Sequence, residues 1–138
     1  MIIQQSFKIQ TPGRGMIEVT KEVAEIVKQS EISIGICNVF LHHTSASIVI
    51  CENDDITVQH DLERFFGHLI SDGHMLFEHV AEGPDDMSAH VRSIMTQSSL
   101  SIPITQKKLD LGRWQGIYLW EHRLKAHDRK ITVTLQGE

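Results

Sequence analysis

The chain has 138 residues, 41% of them hydrophobic and 22% charged, proportions of one globular domain rather than a disordered segment. A formal charge of -5 argues against nucleic acid as the main partner, since phosphate binding needs clustered positive charge. No apolar run approaches the roughly 18 residues that span a bilayer, and the stretch Met1–Lys8 lacks the basic-then-apolar pattern of a signal peptide, so a cytoplasmic protein without a membrane partner is expected.

Ile2 to Gln10 alternates loosely and is rich in Ile and Phe, which predicts a strand. Thr11-Pro12-Gly13-Arg14-Gly15 is a turn cluster. After a short extended piece at Met16–Val19, Thr20 can cap a helix over Lys21 to about Gln29, with Val23, Ile26 and Val27 as its apolar stripe. Ile32 to Leu41 is apolar at both alternations, which predicts a central strand buried on both faces, and Ala46 to Cys51 reads the same way. Cys37 and Cys51 lie in these runs without C-x-x-C spacing and are expected to be reduced core thiols.

Between those strands stands a polar corner, His42-His43-Thr44-Ser45. Successive extended side chains point to opposite faces, so only one of the two imidazoles can enter a given pocket. Asn53 is a good helix N-cap, with Asp54 and Asp55 suited to a first turn; Val58, Leu62, Phe65, Phe66 and Leu69 then recur at helical spacing, predicting a helix from about Asp54 to Ile70 with Asp61 on the face of Asp54. Gly73 to Asp86 has no clean period and is a long loop carrying His74, His79 and Glu82. Asp85 or Asp86 caps a helix to about Gln97, with Met87, Val91, Ile94 and Met95 expected to face inward. Ser99–Ile104, Leu109–Leu111, Gln115–His122 and Lys130–Gln136 read as strands. This order predicts a single α+β domain, mainly antiparallel sheets arranged like a β-sandwich with about three helices.

Nine histidines are a compositional oddity. Imidazole and carboxylate are the ligands of zinc-like ions, and His43, His79, His90 and Asp86 are the candidates, with Glu121 as a further acid, although none has a spacing such as H-E-x-x-H. The bland alternative for each histidine is a strand-end or surface role. A nucleophilic serine at His43-Thr44-Ser45 is disfavoured because no G-x-S-x-G elbow is present. Hydroxyls at this corner and the Asn53 amide are better read as hydrogen-bonding a polar ligand. The helix start after Asn53 favours anions, but Asp54 and Asp55 oppose a bare phosphate there unless a divalent cation intervenes. Arg113, Arg123 and Arg129 are possible phosphate partners or rim ion pairs, and Trp114 a core or interface anchor.

The segments H-T-S-A-S (43–47), E-N-D-D (52–55), H-D-L-E-R-F-F (60–66), E-G-P-D-D-M-S-A-H (82–90), W-Q-G-I-Y-L (114–119), E-H-R (121–123) and T-L-Q-G-E (134–138) together resemble the bacterial YjbQ family along nearly the whole chain. The resemblance implies a compact α+β fold, a homotrimer, and a minor thiamine-phosphate synthase activity joining hydroxymethylpyrimidine diphosphate to a thiazole phosphate. It places polar pocket residues at His43, Thr44, Ser45, Asn53, Asp61, His79, Asp86, His90, Glu121 and Arg129. Assigned roles are His43 and Glu121 in catalysis; Thr44, Ser45, Asn53, Asp61 and Arg129 in substrate binding; and His43, His79, His90 and Asp86 around a divalent ion, Zn or Mg. Phe77, Ser88 and Lys107 depart from the family's frequent tyrosine, proline and glycine. The rival expectations are a metal-dependent hydrolase of a small phosphorylated or acyl substrate, and a non-catalytic trimeric ligand- or metal-binding protein.

Overall fold

The computed structural model describes residues Met1–Glu138. In chain order the elements are β1 (Ile2–Gln10), β2 (Gly15–Glu18), α1 (Thr20–Ser30), β3 (Ile34–Leu41), β4 (Ala46–Glu52), α2 (Ile56–Leu69), α3 (Asp86–Met95), β5 (Ser99–Thr105), β6 (Lys108–Leu109), β7 (Gln115–Glu121) and β8 (Asp128–Gly137). They form an antiparallel five-stranded sheet, β1-β8-β3-β5-β6, and an antiparallel three-stranded sheet, β2-β7-β4. The chain is a single α+β domain with three helices, as its pattern of elements predicts.

The main core lies between the sheets. Cys37, Val39, Leu41, Ile102, Ile131, Val133 and Leu135 meet Ile48, Ile117 and Leu119 there, and Val23 and Val27 of α1 close one end. The small sheet is apolar on its other face too: Val49, Tyr118 and Trp120 pack with Leu62 and Phe66 of α2. Ile117 to Trp120 of β7 are therefore apolar at successive positions because both faces of the strand are covered.

β3 behaves differently. It is central in its sheet, as expected, but Ile34, Ile36 and Phe40 are exposed while Cys37, Val39 and Leu41 are buried. Only one face of the large sheet packs within this chain, and hydropathy alone cannot say which apolar face is covered.

Helix boundaries also shift. Thr20 does not cap α1: Val19 holds that position, while the Thr20 hydroxyl donates to Glu18 and accepts the Ile117 N–H. α2 starts later than predicted, because Asp55 and not Asn53 caps it, accepting the Thr57 N–H at 2.9 Å. Asp54 and Asp55 thus precede the first turn, and Phe65 and Leu69 face out. In α3, Ile94 and Met95 are exposed, 84% and 53%, while Ser88, Ala89 and Arg92 are buried. The helix packs through its small residues, which allow close approach to β4, and leaves its larger apolar side chains along a cleft.

Candidate metal centre and its cleft

Three segments meet beside α3. The corner 42–45 joins β3 in one sheet to β4 in the other; the loop after α2 brings His79; and α3 brings Asp86 and His90, one turn apart and hence on one face. The loop closes on itself where the Gly73 N–H donates to the Pro84 carbonyl at 2.8 Å. Its far end returns to the start of α3, which sets His79 against Asp86.

The His79 Nε2 lies 2.7 Å from Asp86 Oδ2, and the His90 Nε2 lies 3.2 Å from the same oxygen. One potential ligand atom from each of these residues falls within 4.8 Å of the others. His90 Nδ1 sits 2.9 Å from the Thr44 carbonyl, which can only accept, so Nδ1 carries the proton. In a neutral His90 ring the lone pair is then on Nε2 and faces the carboxylate. Two lone pairs at that separation are relieved by a shared cation. A ligating histidine whose other N–H is tied to a carbonyl is the usual outer arrangement at metal sites. The residues present therefore fit a divalent ion, with two nitrogens and one oxygen as donors.

Asp86 is buried, and desolvation alone would raise its carboxyl. Hydrogen bonds, first that with His79, and the charge of Arg123 outweigh this and hold it below the usual carboxylate range. Arg123 Nη1 donates to Asp86 Oδ1 at 2.9 Å, leaving Oδ2 to the imidazoles.

His43 stands across the cleft and is not a member of this three-residue group. Its Nε2 accepts the Lys130 N–H at 2.7 Å, so the neutral ring keeps its proton on Nδ1. Burial, and next the charge of Arg129, lower its pKa and favour that neutral form. With Nε2 taken by the Lys130 N–H and the proton on Nδ1, the neutral His43 ring has no free lone pair for a metal. His42 turns to the outer face of the large sheet, bonded to Thr132 at 2.7 Å and edge-on to Phe40.

The centre opens on a cavity of about 760 Å³ whose walls include His43, Thr44, Met87, Ile94 and Ser98. His43, Thr44 and Ser98 also line a second cavity of about 580 Å³ that reaches Ser45 and Arg129, so the two are neighbours with a common wall.

The other candidates lie elsewhere. Glu121 is fully buried and both of its oxygens are taken: Thr11 and Arg129 Nε donate to Oε1, and the Arg123 N–H and Arg129 Nη2 to Oε2. Burial would raise its carboxyl, but the hydrogen bonds from Arg129 and Thr11 bring it below the usual range. That carboxylate has no oxygen left for a substrate; it positions Arg129, which also holds the Ser45 carbonyl and hydroxyl. Asn53 sits at the far end of β4, donating to the Arg113 and Gln115 carbonyls. Asp61 is exposed on α2 and belongs to neither cavity wall. The sequence reads Arg123 as a possible phosphate partner or rim ion pair; its contact with Asp86 runs from beyond the end of β7 to the start of α3 and has no local signal. Met87 and Ile94 were assigned to the core and instead line the cleft.

Residues 5–138 match the family described as UPF0047 protein YjbQ-like. The chain belongs to the UPF0047/YjbQ family. It is 42% identical over 135 residues to the UPF0047 protein sll1880 of Synechocystis, covering 98% of this chain and 92% of that one. It is 40% identical over 139 residues to YjbQ of Escherichia coli O157:H7, covering 100% of both. Among solved structures, a YjbQ/UPF0047 protein of Clostridium acetobutylicum superposes with a TM-score of 0.83 at 34% identity, over 97% of this chain and 99% of that one. A hypothetical protein of Aeropyrum pernix K1 gives 0.89 at 25% identity, over 99% of each. The two solved structures share the fold, and none of these names carries an activity.

Proposed function

We propose that this UPF0047/YjbQ protein is a metal-dependent enzyme acting on a small phosphorylated substrate, with a zinc-like ion held by His79, Asp86 and His90. The observation that carries the reading is the meeting of three donor atoms within 4.8 Å, with the far nitrogen of His90 already tied to a carbonyl and an open side facing a cavity of about 760 Å³. When bound, the ion would supply Lewis acidity to offset phosphate charge. The chain's own residues do the rest. His43, held by the Lys130 N–H, offers its Nδ1–H to a substrate oxygen; the Thr44 and Ser98 hydroxyls add donors; Met87 and Ile94 give one wall an apolar surface. Arg129 and Ser45 border the neighbouring cavity.

Thiamine-phosphate synthase chemistry is one member of this class, in which a diphosphate departs as the pyrimidine is joined to the thiazole phosphate. Hydrolysis of a phosphate ester is the second reading. One observation favours it: no Phe, Tyr or Trp lines the metal-facing cavity, so a heteroaromatic ring there would have only imidazoles to stack on. Zinc-loaded protein incubated with hydroxymethylpyrimidine diphosphate and thiazole phosphate should form thiamine phosphate under the first reading. Under the second it should release inorganic phosphate from small phosphate esters without an acceptor. Zinc bound tightly with neither product formed would instead favour a non-catalytic binding protein.

A homotrimer is part of the proposal. The uncovered apolar row Ile34, Ile36 and Phe40 on the large sheet supports burial against other copies. Light scattering during gel filtration should give three times the monomer mass, and a monomer would refute it.

A further inference from the structure

Every nitrogen of the Arg123 guanidinium is engaged. Nε donates to Asp85 Oδ2 at 2.9 Å, Nη1 to Asp86 Oδ1 at 2.9 Å, and Nη2 to the Glu82 carbonyl at 2.9 Å. Those acceptors belong to different structural units. Asp85 is the N-cap residue of α3 and Asp86 its first residue, whereas Glu82 lies on the loop that delivers His79. Gly83, with φ of +101°, makes the turn that aims the Glu82 carbonyl at the arginine, a conformation that side-chain-bearing residues rarely adopt.

The backbone of the same segment is also engaged. The Arg123 N–H donates to Glu121 Oε2 at 3.1 Å and the Leu124 N–H to Asp85 Oδ2 at 2.9 Å. The end of β7, the start of α3 and the His79 loop are thus joined at one residue. The arginine is itself largely shielded, with 15% of its side chain exposed.

Two of the three donor residues of the centre depend on this junction. Asp86 can present Oδ2 to the imidazoles because Oδ1 is occupied by Arg123. His79 is the donor carried on a loop rather than on α3, and that loop is fastened to the helix start by the Glu82 contact and by His79 itself. His90 is independent, fixed by α3 and by the Thr44 carbonyl.

We infer that Arg123 is the positioning residue of the metal centre, clamping Asp86 and the His79 loop together so that an ion meets three assembled ligands instead of one. The inference rests on the metal reading of the site. It assigns Arg123 no contact with substrate. A lysine at this position keeps the charge but offers one ammonium where a planar fork spans three acceptors.

The test uses full-length protein stripped of metal. Zinc affinity is measured by competition with a chromophoric chelator, the visible spectrum of the Co²⁺-substituted protein reports ligand geometry, and hydrogen exchange reports the loop between Gly73 and Pro84. Removal of residues that orient metal ligands typically costs 10–100-fold in affinity. R123A should therefore bind zinc about 10–100-fold more weakly, alter the Co²⁺ bands and expose the loop amides. R123K preserves the charge beside Asp85 and Asp86 and serves if R123A folds poorly; it should fail to restore affinity or the Co²⁺ spectrum. H90A, which removes a ligand the clamp does not touch, should abolish tight binding in either background. If H90A abolishes binding while R123A and R123K bind zinc within twofold of the parent with an unchanged spectrum, the clamp is refuted and the metal centre stands. Zinc binding untouched by H90A as well as by R123A overturns the centre and this inference with it.

Discussion

Two carboxylate–arginine pairs lie beside the 42–45 corner, and they have opposite fates. Glu121 and Arg129 are sealed: both carboxylate oxygens are saturated, the acid is fully buried, and the guanidinium is spent on Glu121 and Ser45. Asp86 and Arg123 are half open. One oxygen is fixed by the arginine and the other faces two imidazoles at the edge of a cleft. The same ion-pair chemistry builds architecture when every lone pair is consumed and a ligand site when one is kept in reserve. The sealed pair holds the corner that presents His43 and Thr44; the open pair provides the donor.

The comparison can be broken most sharply at the sealed pair. Arg129→Ala leaves Glu121 buried without its counter-charge and should cost about 3–5 kcal/mol of stability in urea unfolding. Zinc affinity of the protein that remains folded should not change. Loss of zinc with intact stability would reverse the roles given to the two pairs.

At the open pair the pattern should invert. Asp86→Ala should weaken zinc binding at least about 100-fold, equivalent to about 2.7 kcal/mol, as read by chelator competition. Its effect on the urea midpoint should be smaller than that of Arg129→Ala, because Arg123 keeps Asp85 and the Glu82 carbonyl as partners and is itself partly exposed.

Acid should act on the sealed side first. His122, fully buried next to Glu121, bonds Ser47 at 2.7 Å through Nε2. Burial, and then the charge of Arg92, push it from 6.5 down to about 3. The unfolded ring takes up a proton that the folded ring refuses. The stability from the neutral ring is therefore full above about pH 6.5 and is lost as pH falls toward about 3, by about 1.4 kcal/mol per pH unit. Urea unfolding at pH 6.5 and pH 5 should show this slope, and His122→Gln should remove close to one proton from it. Glu121 and Asp86, whose carboxyls are held low, add their own losses only at more acid pH.

The smallest effects belong to residues outside both pairs. Asn53→Ala removes two backbone contacts at the far end of β4 and should cost about 1 kcal/mol with zinc affinity unchanged. Asp61→Ala should alter neither measurement detectably. A clear loss of substrate turnover in either variant, at full zinc occupancy, would extend the site beyond the cleft.

Much of this was legible in the residues. Alternating strands, the apolar stripe of α1 and the helical spacing of α3 gave the α+β class and the element order, because period and burial are coupled within one element. The i, i+4 pair Asp86 and His90 is local and could be placed on one helix face before any coordinates. The long unpatterned loop marked His79 as free to travel. What escaped was set by neighbours distant along the chain. Which face of β3 is covered depends on the other sheet; whether Asn53 or Asp55 caps α2 depends on the Arg113 and Gln115 carbonyls that capture the Asn53 amide. Glu121 looked like an available acid because nothing local announces Thr11 and Arg129 at its two oxygens. Arg123 looked like a rim charge for the same reason.

Ring-nitrogen NMR of uniformly ¹⁵N-labelled, untagged protein, titrated with zinc, tests the centre most directly among the nine histidines. At one equivalent, the Nε2 resonances of His79 and His90 should move to metal-bound positions, while His43 keeps its Nδ1 proton and its bond from the Lys130 N–H. Zinc that leaves the His79 and His90 rings unchanged, or that shifts His43 in their place, would contradict the account.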